Sequence, residues 1–408
     1  MRIRSITSFY DPRLPQPEET LNKLSNLSAS LTQQISSDVA PVQSTRLATS
    51  PFPLYLKGLN FETIIDRVKK MEETTRQMGW QYLSLGPALP SSSGFCELIP
   101  SLLAETRDVF FSAVIADSKF LYPEMVKKCA TVIHAASSLE LDGFANLRFA
   151  ALANVKPFTP FLPSAYHRVG SPPSISFAVE CADAVISAFK GAPDLETAQI
   201  DLLDNLEGFT RQIMEIYGQL TAGLGIECKG FDLSPAPFPE DWCSLGGAIE
   251  SLGLEHIGGI GSLAPVAIIA DTLDRGSWPR VGFNGMMLPL LEDSVLARRA
   301  EQGLLSVRDF MLYSTVCGTG LDTIPLEGET STSQLECVLM DIGSLALRLG
   351  KPLTARLMPI PGKKAGDMTG FNFPFFANSR VLALDGQRLS PPLMQGSPIR
   401  LRPRKPRK

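Results

Sequence analysis

The segment from Val316 to Thr330 (VCGTGLDTIPLEGET) carries residue types from which a reactive thiol site is built. Cys317 precedes Gly318 and Gly320, which lack a Cβ and therefore let the backbone turn sharply and approach a ligand closely. Asp322 follows five residues after the thiol. A cysteine on a tight glycine loop is a candidate nucleophile or redox group. The alternative is a small buried residue before a turn, because free cysteine is among the most buried residue types.

A second candidate segment, Pro157 to Arg168 (PFTPFLPSAYHR), ends in His167, one of three histidines in the chain. Its prolines stiffen the loop. The loop follows a predicted strand, and the loops at the carboxyl ends of parallel strands build the site in such proteins. An imidazole there is suited to general acid–base catalysis or to metal ligation. A structural histidine with satisfied hydrogen bonds is an equally good interpretation of the same pattern.

A third candidate is Asp232, in the segment Phe231 to Gly247 (FDLSPAPFPEDWCSLGG). A carboxylate at the end of a strand is well placed for catalysis or for binding a cation. Together with His167 and Asp322 it suits a divalent cation, Mg²⁺ or Mn²⁺, better than a structural zinc. The commoner role of an aspartate at such a position is to cap a turn.

The segment Lys351 to Phe371 (KPLTARLMPIPGKKAGDMTGF) combines a strand that carries Arg356 with a loop that contains Lys363 and Asp367. Cationic side chains beside a glycine loop suit a carboxylate or a phosphate group. We therefore predict that Arg356, Lys363 and Asp367 bind substrate, together with the two glycines after Cys317. The GxxxxGK[ST] and GxGxxG nucleotide-binding patterns are absent from the sequence.

Short apolar runs alternate with stretches of helical period along most of the chain. Ile3 to Phe9, Val109 to Ile115 and Leu353 to Met358 read as strands, whereas Ile175 to Lys190 reads as a helix. Gly282 to Leu288 is a further candidate strand. Strands separated by helices pair in parallel through right-handed crossovers. The pattern predicts an α/β protein with a single large β/α barrel of about ten strands over residues 1–385, in preference to a doubly wound open sheet.

Composition and charge narrow the function classes. The chain has 408 residues, 44% of them hydrophobic and 20% charged, with a net charge of −4, which fits a folded globular protein and gives no global basic field for nucleic acid. No apolar stretch is long enough to span a membrane. Seven scattered cysteines without a CxxC pair favour reduced thiols and a cytoplasmic location. Residues 386–408, which end in the basic run RLRPRKPRK, are predicted to be a disordered tail, with an acidic partner as the alternative.

Several long motifs in the same order resemble uncharacterised protein family 0210 (domain of unknown function 711). They are MRIRSITSF, PFTPFLPSAYH, FDLSPAPFPEDWCSLGG, GFNGMMLPLLED, VCGTGLDTIPL and KPLTARLMPIPGKKAGDMTGF, which together span nearly all of the chain up to about Phe376. The resemblance implies a fold related to the glycyl-radical enzymes such as pyruvate formate-lyase, a ten-stranded β/α barrel around a central loop. In such barrels a cysteine stands on the inner loop, and here VCGTGLDT would supply that loop with Cys317 at its tip.

The radical chemistry of those enzymes is not implied for this chain. They carry an Arg-Val-x-Gly-aromatic motif near the C-terminus, whereas the nearest match here runs from Arg380 to Leu384 and has Ala383 in place of the glycine. The sequence also lacks a CxxxCxxC iron–sulfur motif. Stored glycyl-radical catalysis is therefore not expected.

The leading functional hypothesis is a cytosolic enzyme of amino-acid or organic-acid metabolism whose substrate is a small anionic metabolite. Cys317 would be the nucleophilic or redox-active thiol and His167 the acid–base group, with Asp232 and Asp322 as orienting carboxylates. One alternative is a metabolite-binding regulatory protein without catalysis. Another is a divalent-metal-dependent hydrolase or lyase. Neither nucleic acid nor a membrane is expected as a partner, and the sequence leaves homo-oligomerisation open.

Overall fold

The computed structural model describes residues 1–316, 318–386 and 388–404. Within them, eleven strands belong to one sheet. The strands are β1 (Arg2–Tyr10), β2 (Thr45–Thr49), β3 (Tyr82–Ala88), β4 (Val109–Ala116), β5 (Phe120–Leu121), β6 (Phe149–Ala153), β7 (Ser174–Glu180), β8 (Glu227–Asp232), β9 (Gly320–Glu327), β10 (Leu353–Ile360) and β11 (Ile399–Arg400). The prediction of an α/β protein with one large sheet is confirmed.

The sheet is mixed, because two antiparallel pairs join runs of parallel strands. Its main path is β8-β7-β1-β2-β3-β4-β6-β10-β9. The run β1-β2-β3-β4-β6 is parallel throughout, and so are the pairs β7–β8 and β9–β10. β1 pairs antiparallel with β7, and β6 pairs antiparallel with β10. The expectation of parallel pairing alone was therefore wrong at these two positions, since β6 is followed by β7 without an intervening helix.

The two ends of the path, β8 and β9, are not hydrogen-bonded to each other in the described residues. The segment 280–289 runs between them and touches both through isolated bridges, Arg280 with Phe231 of β8 and Pro289 with Asp322 of β9. The predicted strand from Gly282 to Leu288 lies in this segment and does not form a regular strand there. The sheet is thus not closed by a continuous hydrogen-bond ladder.

The described part of the chain contains twelve helices, and several of them pack against the sheet. They are α1 (Pro17–Asp38), α2 (Pro53–Leu56), α3 (Phe61–Gln77), α4 (Ile99–Glu105), α5 (Pro123–Ser137), α6 (Ala182–Phe189), α7 (Leu195–Thr221), α8 (Leu245–Ser251), α9 (Leu263–Arg275), α10 (Ser294–Glu301), α11 (Val307–Tyr313) and α12 (Thr332–Leu349). 3₁₀ segments occupy residues 90–98, 144–148, 241–243 and 290–292. None of these helices has both the length and the apolar character needed to cross a membrane.

The two faces of the sheet differ in chemistry because successive side chains of a strand alternate between them. On the helix-covered face, Ile6, Leu47 and Leu83 belong to the main apolar core. The opposite face is polar or aromatic. Thr7 donates to the carbonyl of Pro160 at 2.8 Å, and Ser84 donates to the carbonyl of Ala165 at 2.7 Å. The strands therefore hold the loop between β6 and β7 against their polar face by hydrogen bonds.

The predicted helix from Ile175 to Lys190 is wrong over its first half, which is strand β7. Only Ala182–Phe189 is helical, as α6. The segment reads SISFAVECADAVISAF, an apolar run in which a single residue, Cys181, separates strand from helix. Periodicity alone does not distinguish a buried strand from a buried helix in such a run.

Part of the predicted C-terminal tail contacts the body of the protein. Ile399–Arg400 pairs antiparallel with β5, and Met394 is buried. The backbone amide of Arg404 donates to the carbonyl of Arg348 near the end of α12. The position of the domain boundary near residue 385 stays a prediction.

Candidate functional site

A cavity of about 210 Å³ lies on the polar face of the sheet. Five of its wall residues lie in the first half of successive parallel strands: Arg4 in β1, Arg46 in β2, Tyr82 in β3, Phe110 in β4 and Ala150 in β6. The cavity is therefore at the amino-terminal side of these strands, whereas a wholly parallel barrel places its site at the carboxyl ends. Asp322 likewise lies in the first half of β9, and Thr354 and Arg356 lie in the first half of β10.

The opposite side of the cavity wall comes from β9, β10 and three loops. Asp322 and Arg356 face the cavity from β9 and β10, beside Glu292 from the turn before α10. Aromatic rings complete the wall, and they come from the loop before β7, the segment between β8 and β9, and the segment after β10. These rings are Phe161, Phe283, Phe373 and Phe375.

A chain of ion pairs crosses the cavity wall. Arg356 donates from Nε to Asp322 Oδ1 at 2.5 Å and from Nη2 to Glu292 Oε1 at 2.8 Å. Glu292 also accepts from Arg4 at 2.7 Å, and Arg4 reaches Glu180 at 3.2 Å. All five side chains are at least four-fifths buried. Charge-assisted hydrogen bonds of this kind offset the cost of removing charges from water.

The ion pairs also determine the protonation of the buried groups. Burial alone lowers the pKa of Arg356, but Asp322 and Glu292 outweigh that effect, so its net shift is upward. Burial raises the pKa of Asp322, while the adjacent guanidinium of Arg356 opposes the rise. Arg356 is therefore firmly cationic at neutral pH.

Arg46 differs from the other two cavity arginines because no carboxylate in the described residues lies within ion-pair distance of it. Its Nε donates to Ser44 Oγ at 3.1 Å, and its guanidinium carbon lies 6.0 Å from the centroid of the Tyr82 ring. Burial, together with the positive charges of Arg4 and Arg356, lowers its pKa to about 9. It remains protonated at pH 7, so the cavity holds a cation without a counter-ion among these residues.

Glu292, Arg4 and Arg46 were not anticipated from the sequence. The signal for Arg4 was present, since it interrupts an otherwise uncharged strand segment, IRSITSF, and buried charges are rare unless they are paired. Glu292 has Asp293 as its neighbour, and both read as helix-capping residues. Asp293 does cap a helix, accepting from the amides of Val295 and Leu296, while Glu292 turns to the cavity.

His167 does not line the cavity. Its ring is fully buried, its Nε2 lies 3.1 Å from the carbonyl oxygen of Ser171, and its Nδ1 has no partner in the described part of the chain. Its backbone amide donates to the carbonyl of Thr49, three residues beyond Arg46 on β2. At ~3.3 Å per residue, the two positions are about 10 Å apart along the strand. Burial lowers the pKa of His167 to about 4, so the imidazole is neutral at pH 7.

Asp232 is fully buried next to the cavity wall and stabilises the turn that begins the segment 280–289. It accepts from the backbone amides of Phe283 at 2.7 Å and Asn284 at 3.0 Å, and from the hydroxyl of Ser234 at 2.6 Å. Burial raises its pKa, and these hydrogen bonds oppose the rise. Because Phe283 is a wall residue, Asp232 positions part of the cavity without lining it.

Cys317 lies outside the described residues. Its neighbours on the chain are close to the cavity. A Cβ on Gly318 would come 3.1 Å from the Cα of Gly285 and 3.2 Å from the carbonyl oxygen of Phe283, and Thr319 lines the cavity. Gly320 has a φ of +94°, and a Cβ there would collide with the backbone of Thr354 in β10. Glycine is required at position 320 for both reasons.

Lys363 and Asp367 are not among the cavity-wall residues. They belong to the turn after β10, where the backbone carbonyl of Lys363 accepts from Gly328 and the carboxylate of Asp367 accepts from the amide of Lys364 at 2.7 Å. The structure thus brings Asp322 and Arg356 together in one wall and leaves this turn apart from them. Among the residues that the structure describes, no three histidine, cysteine or acidic side chains are grouped to hold a metal ion.

Fold and site together define a mixed α/β protein with a small, charged and aromatic cavity on the polar face of its sheet. The family model described as Uncharacterised ACR (DUF711) matches residues 1–373, and the chain belongs to this family. The resemblance inferred from the motifs is confirmed in this respect.

Relatives in the family align over most of both chains. A UPF0210 protein from Syntrophobacter fumaroxidans is 30% identical over 357 residues, covering 81% of this chain and 77% of the relative. One from Pyrobaculum arsenaticum is 25% identical over 399 residues, covering 92% and 87%. One from Acetivibrio thermocellus is 27% identical over 398 residues, covering 90% and 88%.

Proposed function

We propose that the cavity binds a small anionic metabolite and that Arg46 receives its negative charge. The observation that carries this proposal is the unpaired guanidinium of Arg46 in a wall where the other arginines are paired. A partly buried cation without a counter-ion is costly, and an anionic ligand lowers that cost. The polar and aromatic lining is typical of pockets that orient a small molecule through a few charged groups.

We propose further that the protein is a cytoplasmic enzyme of organic-acid metabolism that uses the thiol of Cys317. Supporting this role, Thr319 lines the cavity two residues further along the chain, and Gly318 packs against the segment that carries Phe283. In this proposal Asp232 acts by positioning Phe283, and His167 by fixing the loop between β6 and β7. The structure holds Cys96, Cys129, Cys181, Cys228 and Cys243 as unbridged thiols, in keeping with a reducing compartment.

The fold proposed for this enzyme is a ten-stranded barrel of the pyruvate formate-lyase type. Five parallel strands form one half, and β7, β8, the segment 280–289, β9 and β10 would form the other. Support comes from the two antiparallel seams of the sheet, which are the strand pairs β1–β7 and β6–β10, and from the bridges at Arg280 and Pro289. The loop from Pro157 to Arg168 would occupy the centre, since Pro160 and Ala165 accept hydrogen bonds from the polar face of the sheet. The family resemblance assigned this place to VCGTGLDT, but residues 320–323 of that segment belong to β9.

A binding protein without catalysis is the second candidate. It is favoured by the arrangement of Glu292 and Asp322, because each is paired with an arginine and neither is a free base in the cavity wall. Both candidates bind an anion at Arg46, and they differ in whether the thiol of Cys317 takes part in catalysis. The third candidate, a divalent-metal-dependent hydrolase or lyase, is tested by adding Mg²⁺ and Mn²⁺ to the ligand screen described next.

The binding proposal is tested by the thermal stability of the purified protein in the presence of small carboxylates, 2-oxo acids, amino acids and phosphate. A ligand that binds only the native state stabilises it by RT ln(1 + [L]/Kd), about 2.7 kcal/mol at a concentration of 100 Kd. We expect this stabilisation to be lost in Arg46→Gln. The control is Arg308→Gln, which removes an arginine with a side chain 78% exposed. Anion binding that is equal in both variants contradicts the proposal.

The catalytic proposal is tested by alkylation with iodoacetamide at pH 7.5. Burial raises the pKa of Cys96, Cys228 and Cys243 to about 12, so these thiols are expected to react slowly. We expect Cys317 to be labelled first and to be protected by a cavity ligand, as read by peptide mass spectrometry. Cys317→Ser should abolish the fast phase, whereas Cys228→Ser should retain it. Fast labelling that persists in Cys317→Ser would favour the binding protein without catalysis.

A further inference from the structure

We infer that the ligand is an aromatic monocarboxylate without an ammonium group, such as an aryl-substituted 2-oxo or 2-hydroxy acid. The inference rests on the proposed function, since it takes Arg46 as the anion-binding group, and adds the chemical class of the ligand. Three properties of the cavity support it: one uncompensated positive charge, the absence of an unpaired carboxylate in its described wall, and a ring-lined volume of limited size.

The charges of the wall fit one negative charge on the ligand. Arg4, Arg46 and Arg356 face two wall carboxylates, Glu292 and Asp322. Arg356 pairs with both carboxylates, and Arg4 pairs with Glu292 and with Glu180 outside the wall. Only Arg46 is left without an acidic partner in the described wall. A dianion would bring a second charge into a partly desolvated cavity that offers it no further unpaired cation.

An ammonium group on the ligand is disfavoured by the same arrangement. A free α-amino acid would place its ammonium group beside three guanidinium groups with no unpaired carboxylate to balance its charge, and the uncharged acceptors of the wall, such as Gln43 and Gln81, do not supply that charge. Glu292 accepts from Arg4 and Arg356, so an ammonium group would have to displace a buried guanidinium to reach it. Asp322 is held by Arg356 at 2.5 Å. The three arginines also repel a positive charge at short range.

The wall also contains uncharged polar residues such as Gln43 and Thr354, and its aromatic part is suited to a flat apolar group. Phe110, Phe161, Phe283, Phe373 and Phe375 line the cavity together with Met287. Aromatic rings favour edge-to-face and offset contacts with another ring. The volume of about 210 Å³ accommodates a small ligand. An engineered cavity of about 150 Å³ holds benzene, so this one has room for a ring and a short acidic arm.

The inference is tested by titration calorimetry of the full chain at pH 7.5 with five matched probes. They are 3-phenylpropionate, phenylpyruvate, phenylalanine, phenethylamine and acetate. We expect the first two to bind with similar affinity and phenylalanine to bind at least tenfold more weakly. Acetate should bind far more weakly than 3-phenylpropionate, and phenethylamine should not bind.

Variants separate the contribution of each part of the wall. Arg46→Gln should weaken 3-phenylpropionate at least tenfold, Arg46→Lys should restore part of the loss, and Arg308→Gln should leave binding unchanged. Phe283→Ala should weaken 3-phenylpropionate more than it weakens acetate. Circular dichroism and thermal unfolding verify that each variant is folded.

The possible failures can be distinguished. If acetate binds through Arg46 while the aromatic acids do not, the ligand class is wrong and the proposed anion site stands. If phenylalanine binds as tightly as 3-phenylpropionate, the exclusion of ammonium is wrong. If none of the anions binds, both the ligand class and the anion site are wrong.

Discussion

Arg356 lies between two acidic side chains that come from distant parts of the chain. Asp322 is 34 residues away and Glu292 is 64 residues away, yet both accept from its guanidinium. Such a group is stable while its partners remain, because each charge satisfies another. When one partner is removed, the remaining charge stays buried without compensation.

We therefore expect Asp322→Leu to lower the free energy of unfolding by roughly 3–5 kcal/mol, the range typical of a broken buried ion pair. Urea denaturation monitored by circular dichroism measures the change. Asp385→Leu is the matched control, since Asp385 pairs with Arg308 where both side chains are more than 70% exposed, and its loss should cost less than about 1 kcal/mol. Equal costs for the two variants would show that the Arg356 pair contributes no more than a surface pair.

The neutral imidazole of His167 predicts a pH dependence of stability. Its folded-state pKa of about 4 lies below the ordinary value of 6.5, so the unfolded chain takes up a proton at this residue in the interval between those values. The contribution of His167 to the free energy of unfolding is therefore complete above pH 6.5. It is lost as the pH falls towards 4, and the loss is about 3 kcal/mol at most.

This dependence is measured by urea denaturation of His167→Gln and the wild type from pH 7 to pH 4. His167→Gln should show a flatter profile across this interval. His134 is exposed, so His134→Gln should retain the wild-type profile. A profile for His167→Gln that parallels the wild type would contradict a buried neutral histidine.

At the scale of elements, Asp293 connects two helices. Its side chain accepts from the amides of Leu245 and Gly246 at the start of α8 and from those of Val295 and Leu296 in α10. It is fully buried, so none of these amides has water as an alternative partner. The carboxylate thereby fixes both helices beside the turn that presents Glu292 to the cavity.

We expect Asp293→Ala to lower the free energy of unfolding by about 3 kcal/mol, because several buried amides lose their acceptor at once. Asp194→Ala is the control, since Asp194 caps only α7, at an exposed position, and a single cap of this kind contributes about 1 kcal/mol. Chemical denaturation compares the two variants. A loss for Asp293→Ala no greater than that of the control would count against its double role.

The strands show which elements are predictable from sequence. The prediction of a strand from Ile3 to Phe9 agrees with β1, because single apolar residues alternate with polar residues there, and that from Val109 to Ile115 agrees with β4, because it is a short apolar run. β7 was missed because its apolar run continues into α6 without a turn residue. That omission concealed the antiparallel seam with β1.

At the scale of the molecule, the two seams determine how the parts of the sheet are joined. β1 pairs with β7 over seven residue pairs, and β6 pairs with β10 on the other side. Glu180 in β7 accepts from Arg4 in β1, so the ion pairs of the cavity cross a seam as well.

We accordingly expect residues 1–385 to unfold in a single transition. Differential scanning calorimetry should give a ratio of calorimetric to van't Hoff enthalpy near 1, as for a two-state unit. The ratio is compared with and without a cavity ligand, which should move the whole transition to higher temperature. Two resolved transitions, only one of which moves with ligand, would contradict the single-domain prediction.

Most of the alternation of strands and helices, their apolar faces and the family could be inferred from the amino-acid sequence, because these are properties of short segments and of ordered motifs. The sequence also singled out Asp322 and Arg356. Three further features became known from the three-dimensional structure: two strand pairs are antiparallel, the loop between β6 and β7 lies on the polar face, and His167 lies away from the cavity. Arg4 and Glu292, 288 residues apart, meet because the sheet brings them together. Such meetings depend on long-range pairing, which no local pattern of residues encodes.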